Sequence, residues 1–337
     1  MKRHGHLFEQ IVEYHSLLAA SHRARRGKQA RIEVARFVFD LERNLLALQA
    51  ELRSGTYRMR PYRTFVVREP KVRRICAAHF RDRVVHHAVC SVLDPVIEAG
   101  MIGDTFACRR GKGTHAAVRR VQDFSRKLPY VLLCDVRKYF ETIDQEVLKD
   151  RLRRKLKDRA LLALLDRIIE HPLPGGKPGK GVPIGNLTSQ HFANLYLGEL
   201  DHFIKDRLGL PGYVRYMDDL AVFAHAKPLL RRTLDSMREF LGARLRLELR
   251  EERTRITPVT QGVPFLGFRV FPGVMRLDGR KWARLRRRVR AREAAYRLGR
   301  ISEDDLERSV RSMAAHVSHS DSLQARRELF ALSCRLG

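Results

Sequence analysis

The sequence has far fewer acidic than basic residues. In 337 residues, 38 Asp and Glu stand against 67 Lys and Arg, which leaves a formal net charge of +29. A surface so short of negative charge attracts polyanions, so nucleic acid is the expected partner. The hydrophobic content of 44% is ordinary for a globular protein and excludes a disordered basic tail. At roughly 150 residues per domain, the length predicts about two domains.

Cysteine is scarce and scattered, and long apolar runs are missing. The five cysteines form no C-x-x-C pair, which argues against a zinc ribbon and against a secreted disulfide framework. The first residues lack the apolar stretch of a signal peptide, and no uncharged apolar run approaches the ~18 residues that span a membrane. We therefore expect a soluble intracellular protein with no membrane partner.

Hydrophobic periodicity predicts a mixed α+β chain. Helical spacing covers the ranges Leu7–Ala19, Ile32–Ser54, Phe80–Val96, Glu146–Glu170, Ser189–Leu208 and the chain from Lys281 onwards. Strands are predicted at Tyr62–Arg68, Lys71–Cys76, Tyr130–Val136, Val214–Ala224 (as two short strands) and Phe265–Phe271, with turns at Glu69-Pro70 and Pro272-Gly273 and a hairpin at Asp278-Gly279. The Pro- and Gly-rich segment His171–Val182 is interpreted as a flexible surface loop.

Positive charge is densest near the C-terminus. Lys281–Arg292 holds seven cations in twelve residues and no acid. A solvated helix face is one interpretation. The other is a helix that follows a phosphate backbone, since such a run repels itself unless phosphates neutralise it.

Acidic residues end or begin strands at two sites. Asp135 ends the apolar run that starts at Tyr130, and Asp218 and Asp219 lie between the two short strands of Val214–Ala224. A lone Asp-Asp pair is usually only a turn. Three carboxylates brought together repel unless a divalent cation holds them, and Mg²⁺ or Mn²⁺ prefers such oxygen ligands. On a basic protein, this set predicts two-metal chemistry on nucleic acid.

These acids lie in motifs that resemble those of reverse transcriptases. The segment Tyr216-Met217-Asp218-Asp219 resembles the Y-x-D-D box, and Asp135 in LLCDVRKYF resembles the first catalytic Asp. Between them, Val182–Asn194 resembles the segment that lines the nucleotide pocket, and Phe265–Phe268 (FLGF) resembles the primer-grip strand. The resemblance covers about residues 55–275.

The resemblance implies a right-hand polymerase fold with fingers, palm and thumb, an antiparallel ferredoxin-like palm sheet and a helical thumb. Residues 1–129 would form N-terminal helices, fingers and part of the palm. Residues 130–275 would form the palm, with returning fingers elements around 150–185, and residues 276–337 the thumb. The implied activity is RNA-directed DNA polymerisation, with template RNA, cDNA or primer, and dNTPs as partners.

Roles carried over from the family fall into three groups. Two Mg²⁺ ions, or Mn²⁺ in their place, would be held by Asp135, Val136 (through its carbonyl), Asp218 and Asp219. Phe140 matches the steric gate against a ribose 2′-OH, Lys71 and Arg73 match fingers residues that hold the triphosphate, and Arg253 replaces a proton-donating Lys and would act electrostatically. The remaining nucleotide-binding residues are Ile184, Gly185, Ser189, Gln190 and Tyr216. Nucleic-acid contacts are expected from Arg81, Arg83, Lys112, Phe265, Gly267, Lys281, Arg284, Arg287 and Arg288.

The segment that resembles the nucleotide pocket also suggests a lineage. It is Ile184-Gly185-Asn186-Leu187-Thr188-Ser189-Gln190 here, whereas group II intron enzymes usually have Q-G-x-x-x-S-P and retron enzymes favour S-P. With Pro70–Val89 and Arg109–Val118, it resembles the reverse transcriptases of diversity-generating retroelements. That resemblance implies copying of a template-repeat RNA with errors at adenines for mutagenic retrohoming, and a small basic accessory variability protein. The alternatives are a reverse transcriptase of another bacterial lineage (group II intron-like, retron or abortive-infection) and a non-catalytic RNA-binding relative.

Overall fold

The computed structural model describes residues 3–68, 72–323 and 327, and it divides into two compact units. The first unit contains residues up to Gly103, Asp135–Leu208 and Asp235–Arg250. The second contains Asp104–Cys134, Gly209–Leu234 and the chain from Glu251. The predicted three-part domain boundaries stay a prediction.

Within the described residues the chain forms thirteen α-helices and nine strands. The helices are α1 (Phe8–Val12), α2 (Tyr14–Arg25), α3 (Ile32–Phe39), α4 (Leu41–Arg53), α5 (Phe80–Glu98), α6 (Thr114–Lys127), α7 (Tyr139–Thr142), α8 (Gln145–Lys155), α9 (Arg159–Glu170), α10 (Leu187–His202), α11 (Lys227–Leu245), α12 (Gly279–Arg297) and α13 (Glu303–Val317). The strands are β1 (Arg63–Val67), β2 (Arg73–Ala77), β3 (Tyr130–Asp135), β4 (Tyr213–Tyr216), β5 (Asp219–Ala224), β6 (Arg255–Pro258), β7 (Val263–Phe265), β8 (Phe268–Val270) and β9 (Met275–Leu277).

The first unit is built around α5, which packs against α2 and α10. Apolar residues recur along α5 at helical spacing, and Val84, Ala88 and Val89 among them are fully buried. β1 and β2 form a separate two-stranded antiparallel hairpin. Every residue of β1 is exposed, whereas Cys76 near the end of β2 is buried. The hairpin is therefore attached to the unit through β2, and β1 is held by its hydrogen bonds to β2.

The second unit holds a four-stranded sheet in the order β4-β5-β3-β6. β4 pairs antiparallel with β5, and β3 pairs antiparallel with β6. The buried face of α6, including Val121 and Phe124, packs on Val131 and Leu133 of β3 and Phe223 of β5. α6 was not among the predicted helices.

Strands β7, β8 and β9 form a second antiparallel sheet, and α12 packs against α13 in this unit. Leu285 and Val289 of α12 meet Met313 and Val317 of α13 in a small apolar cluster, with Trp282 at its edge. The predicted basic helix from Lys281 is confirmed. Trp282 therefore has a packing role in this cluster.

Five predicted elements are wrong in detail. The predicted helix Leu7–Ala19 is divided at Glu13 into α1 and α2, and the predicted helix Ile32–Ser54 is divided at Asp40 into α3 and α4. Phe265–Phe271 is interrupted by a turn at Leu266-Gly267, where both residues have positive φ. The Asp278-Gly279 hairpin is absent, because the Asp278 side chain instead caps α12 by accepting from the Arg280 amide. The predicted helix Glu146–Glu170 is broken into α8 and α9, where Asp158 starts a new helix. The Glu69-Pro70 turn lies outside the described residues.

No helix within the described ranges is both long and apolar enough to cross a bilayer.

One carboxylate caps two helix starts in the first unit. The Asp158 Oδ2 accepts hydrogen bonds from the amides of Leu7 (2.8 Å) and Phe8 (2.9 Å), and its Oδ1 accepts from the amide of Leu161 (3.1 Å). Burial acts to raise the pKa of Asp158, but these backbone donors lower it overall. A helix start leaves amides without intrahelical partners, so this side chain serves α1 and α9 together.

Asp158→Ala is therefore expected to lower the free energy of unfolding of the first unit by about 1–3 kcal/mol, because the amides at two helix starts lose their acceptor. Urea denaturation measures this loss. Hydrogen exchange at residues 7 and 8 is expected to accelerate. The matched control is Asp150→Ala, whose exposed carboxylate lies 3.7 Å from Arg153 and contributes under about 1 kcal/mol. Equal losses in the two variants would contradict the double-cap interpretation.

Candidate active site

The acidic hairpin is a two-residue turn between β4 and β5. Tyr216 pairs with Asp219 across the ladder, so Met217 and Asp218 form the loop. Met217 has φ of 54°, the left-handed conformation that two-residue hairpins require and that non-glycine residues rarely adopt. The predicted pair of strands with acids at the turn is confirmed, and the carboxylate of Asp218 lies at its tip.

A buried arginine supports this loop. Arg215 is fully buried, and its Nη1 donates to the carbonyl oxygen of Met217 at 3.3 Å. Its backbone also bonds to the segment before α6: its amide donates to the Asp104 carbonyl, and its carbonyl accepts from the Phe106 amide, both at 3.0 Å. A buried guanidinium is costly unless it is well bonded. Arg215 was not among the predicted site residues, although a cation inside a four-residue apolar strand was a visible signal.

Asp135 is the last residue of β3, where the chain passes from the second unit to the first. β3 is the hydrogen-bonded neighbour of β5, the strand that Asp219 begins. Beyond the strand, the Asp135 carbonyl accepts from the Arg250 amide (2.9 Å), and Val136 forms an antiparallel bridge with Leu249. Asp135 is 8% exposed, so its carboxylate is held at a buried strand end.

The first unit contains a cation-lined cavity of about 760 Å³. The charged residues of its lining are seven cations and two acids: Arg73, Arg74, Arg137, Lys138, Lys177, Lys180, Arg246, Glu141 and Glu248. Two of the cations, Lys138 and Arg246, have positive φ (45° and 49°). Such strain in non-glycine residues is typical of functional sites. Of the seven cations, only Arg73 was predicted.

Asp144 links two cations of this lining to the start of α8. Its side chain is 5% exposed. Its Oδ2 accepts from Lys180 Nζ (2.7 Å) and Arg246 Nη1 (2.9 Å), while its Oδ1 caps α8 by accepting from the Glu146 and Val147 amides (3.1 Å each). Burial acts to raise the pKa of Asp144, but the Lys180, Val147 and Arg246 donors outweigh it and hold that pKa at about 2. The signal available in the sequence was an Asp just before a helical run, the usual N-cap.

The Pro- and Gly-rich segment is a largely exposed surface loop, as predicted, and it forms one wall of the cavity. The Gly181 amide donates to the Ile143 carbonyl (2.7 Å), and the Val182 amide donates to the Phe140 carbonyl (2.8 Å). Arg74 Nη1 donates to the Pro174 carbonyl at 3.0 Å. These long-range bonds attach the loop to the rest of the first unit, and its predicted flexibility stays a prediction.

Of the predicted nucleotide-binding residues, Arg73 and Ile184 line this cavity. The Ile184 carbonyl accepts from the Cys76 amide at 2.9 Å, which ties the segment to β2. Gly185 has φ of 115°, and a Cβ there would lie 2.7 Å from Ile75 Cγ2, so only glycine fits. Phe140 is half-buried in α7. Ser189 (buried) and Gln190 (half-buried) lie in the first turn of α10. Lys71 lies outside the described residues.

Two predicted nucleic-acid contacts are engaged internally. Arg81 pairs with Glu51 and lies over the Tyr57 ring, and Arg83 pairs with Glu33 at 2.7 Å. Both side chains are mostly buried. Their predicted contact with nucleic acid stays a prediction, and any such contact would compete with these ion pairs.

The other predicted residues belong to the second unit. Lys281 lies over the Phe268 ring (4.7 Å) and donates to the Leu266 carbonyl (3.3 Å), and a Cβ on Gly267 would lie 2.7 Å from the Lys281 Cδ. Phe265 is buried in β7, and Lys112 lies over the Phe106 ring. In α12, Arg284 is half-buried, whereas Arg287 and Arg288 are exposed. Arg253 is exposed in a 3-10 turn, and the Tyr216 hydroxyl accepts a hydrogen bond from the Thr114 hydroxyl.

Within the part of the chain that the structure describes, no three or more His, Cys, Asp or Glu side chains are grouped so as to hold a metal ion. The metal ligands named from the sequence therefore stay a prediction.

Comparison with known proteins gives one family match. The sequence pattern described as "Reverse transcriptase (RNA-dependent DNA polymerase)" matches residues 67–270, which is more than half of the chain.

Curated relatives include Protein YkfC of Escherichia coli, 26% identical over 270 residues that cover 67% of this chain and 71% of that protein. The group II intron-encoded protein LtrA of Lactococcus lactis is 21% identical over 296 residues, 67% of this chain and 49% of LtrA. This chain thus spans about half of that relative.

Among solved structures, apo telomerase of Candida tropicalis truncated from its C-terminal domain superposes with a TM-score of 0.50 at 15% identity, over 70% of this chain and 60% of that one. Telomerase of Candida albicans, in complex with a fragment of telomeric RNA, gives a TM-score of 0.50 at 9% identity, over 88% and 61%. At these identities the likeness shows the fold, which is the predicted right-hand polymerase fold.

Asp144→Asn tests the link between Lys180 and Arg246. The pKa of Asp144 is lowered to about 2 in the folded chain from roughly 3.9 unfolded, so its ionised form stabilises the fold by about 2 kcal/mol above pH 4. That contribution disappears as pH falls from about 4 through 2. Urea unfolding of wild type and Asp144→Asn is expected to differ more at pH 6 than at pH 3. Parallel stability curves would contradict the assignment.

Proposed function

Since the chain belongs to the reverse transcriptase family, we propose that it is an RNA-directed DNA polymerase that extends a primer 3′-OH with dNTPs. The observation that carries this proposal is the cavity of about 760 Å³ with seven cations in its lining. A triphosphate carries several negative charges, and ammonium and guanidinium groups neutralise the charge that develops on the leaving pyrophosphate. Arg73, Lys138 and Lys180 are the residues of this lining proposed for that role, together with Lys71.

Phe140 and Ile184 are proposed to select the nucleotide. The Phe140 ring would clash with a ribose 2′-OH and so exclude ribonucleotides. Ile184 presents an apolar side chain to the cavity, whereas relatives usually carry Gln at this position. Because a hydrogen bond discriminates between bases far better than an apolar wall does, the apolar side chain would reduce fidelity.

Two Mg²⁺ ions, or Mn²⁺, are proposed as cofactors. The donors fit by kind, since Asp135, Asp218, Asp219 and the Val136 carbonyl offer the hard oxygen ligands that these ions prefer. Asp135 ends strand β3, and Asp218 and Asp219 lie at the β4–β5 hairpin. Bound ions of this kind stabilise the attacking and leaving oxygens of a phosphoryl transfer. The contribution of the chain is to fix the carboxylates on a strand end and a tight hairpin.

The proposed biological role is mutagenic retrohoming in a diversity-generating retroelement, with cDNA made from a template-repeat RNA and a small basic accessory protein as partner. The segment from Ile184 to Gln190 supports it. The second candidate is a group II intron-like enzyme, which the similarity to LtrA favours. A template/variable repeat pair beside the coding gene supports the first role, and its absence supports the second.

Asp218→Ala is expected to reduce dNTP incorporation on a primed RNA template by at least about 100-fold, because a lost metal ligand removes several kcal/mol of transition-state stabilisation. RNA binding and the unfolding transition are expected to match wild type. The control is Asp123→Ala, which removes a half-exposed carboxylate on α6 and is expected to keep full activity. Persistent synthesis by Asp218→Ala would overturn the catalytic assignment.

Ile184→Gln is expected to lower the misincorporation rate opposite template adenines roughly tenfold, since it restores a polar contact to the cavity wall. Sequencing of cDNA made on a defined RNA template measures this rate. Ile184→Leu keeps the side chain apolar at equal volume and is expected to keep the wild-type rate. If the two variants have the same error rate, the apolar residue is not the source of infidelity.

A further inference from the structure

The first unit contains a second cavity, of about 710 Å³, that shares no lining residue with the first. Its walls come from α5, α8 and α10 and from the N-terminal segment. Ile97, Met101 and Leu195 provide an apolar floor, and the charged lining contains more cations than acids: Arg3, Arg151, Arg153, Arg154 and Lys155 against Asp150 and Glu199. An apolar floor with cations around it fits an anion that carries an apolar group.

The N-terminal segment is built into this cavity by backbone hydrogen bonds. The His4 amide donates to the Lys155 carbonyl, and the Lys157 amide donates to the His4 carbonyl, both at 2.8 Å. A Cβ on Gly5 would lie 2.9 Å from the Lys157 Cε, so glycine allows the close approach. These contacts position Arg3 in the lining together with Lys155.

The acids of the lining are already paired. Glu199 pairs with Arg151 and with Arg154 (3.5 Å), and Asp150 lies 3.7 Å from Arg153. Lys155 is half-buried against Gly100, and burial lowers its pKa. In the described ranges neither Lys155 nor Arg3 has an ion pair. Their charges are therefore available to an external anion.

Arg151 is the most deeply buried cation of this lining. The Arg151 side chain is 9% exposed, and its two Nη atoms bond Glu199 and the Arg244 carbonyl. Its Nε has no acceptor among residues 3–68, 72–323 and 327. That Nε atom is closed to solvent, so Arg151 holds Glu199 in the cavity wall and leaves the anion to Lys155 and Arg3.

We propose that this cavity binds a nucleotide unit of single-stranded RNA, with a phosphate at Lys155 and Arg3 and the nucleoside on the apolar floor. The walls are mainly helices whose backbone groups are bonded internally, so a polypeptide has little strand edge to pair with. A phosphodiester needs only cations and an apolar surface. The second cavity lies at the C-terminal end of α8. Asp144, which contacts the first cavity, lies at the start of the same helix, about 16 Å away at 1.5 Å per residue.

Gly198 allows the cavity to be blocked without a change of charge. It lines the cavity within α10, and a Cβ there would meet no atom within 4 Å. Gly198→Leu is expected to weaken the binding of a fluorescein-labelled 12-nucleotide oligo(U) RNA about five- to tenfold, as measured by fluorescence anisotropy on the full chain. Gly198→Ala adds only a Cβ and is expected to bind within about twofold of wild type. Both residues favour a helix more than glycine does, so the variants are expected to fold, and circular dichroism checks this.

A charge variant gives a second readout. Lys155→Met keeps the aliphatic stem and is expected to reduce the slope of log affinity against log salt by about 0.7, the value for one lost phosphate contact on a single strand. Arg159→Gln removes the same charge from an exposed position outside the lining and is expected to retain most of that slope.

Unchanged RNA binding by Gly198→Leu, or equal slope losses in Lys155→Met and Arg159→Gln, would overturn the proposal. Selective loss of oligo-glutamate binding in Gly198→Leu, with RNA binding retained, would assign the cavity to an acidic polypeptide and would also overturn it. Because these measurements contain no dNTPs, they are independent of the polymerase assignment. Failure of Asp218→Ala to stop synthesis would leave the RNA result standing.

Discussion

The hydrogen bonds of Asp144 determine how the first cavity is built. One buried carboxylate accepts from Lys180 in the Pro- and Gly-rich loop, from Arg246 after α11, and from the first amides of α8. Seven cations around about 760 Å³ repel one another, so a buried negative charge beside two of them reduces the cost of holding them together. Four hydrogen bonds to an ionised acceptor also offset the desolvation of the carboxylate. The charge arrangement and the loop conformation therefore depend on the same side chain.

The basic residues behind the net charge of +29 are of two kinds. Arg81 and Arg83 pair with glutamates, and Arg215 is fully buried and bonded to backbone. These side chains hold segments together. Lys138, by contrast, lies in the lining of the first cavity and is exposed. Charge density along the sequence does not separate the two kinds, because the distinction depends on which carboxylates the fold brings near.

The elements that the sequence predicts well are those whose signal is local. The apolar run before Asp135 is strand β3, the two strands around Met217-Asp218 form a hairpin, and the basic run from Lys281 is a helix. Each depends on periodicity or turn chemistry within about ten residues. The family motifs also predicted the fold, because they fix the order of the acids along the chain.

The elements that were missed depend on contacts distant in sequence. The composition of the Pro- and Gly-rich loop does not indicate its bonds to residues about 40 positions earlier, such as Phe140 and Ile143. The sequence predicted one continuous helix through Leu156, but the chain breaks there into α8 and α9. Asp158, which caps α9, also accepts from the start of α1, about 150 residues away. Arg246 lines the cavity and donates to Asp144, about 100 positions earlier. No local pattern contains these partners, so periodicity could not have found them.

Helix α8 connects these observations. It begins at the Asp144 cap and ends in Arg153, Arg154 and Lys155, so its acid lies at the positive end of the helix dipole and its cations at the negative end. Leu148 and Leu152 on its buried face anchor it in the first unit. A rigid helix of eleven residues therefore sets the separation of a cavity suited to a triphosphate from one suited to RNA. If both proposals hold, the length of one helix sets the distance between the incoming nucleotide and that RNA contact.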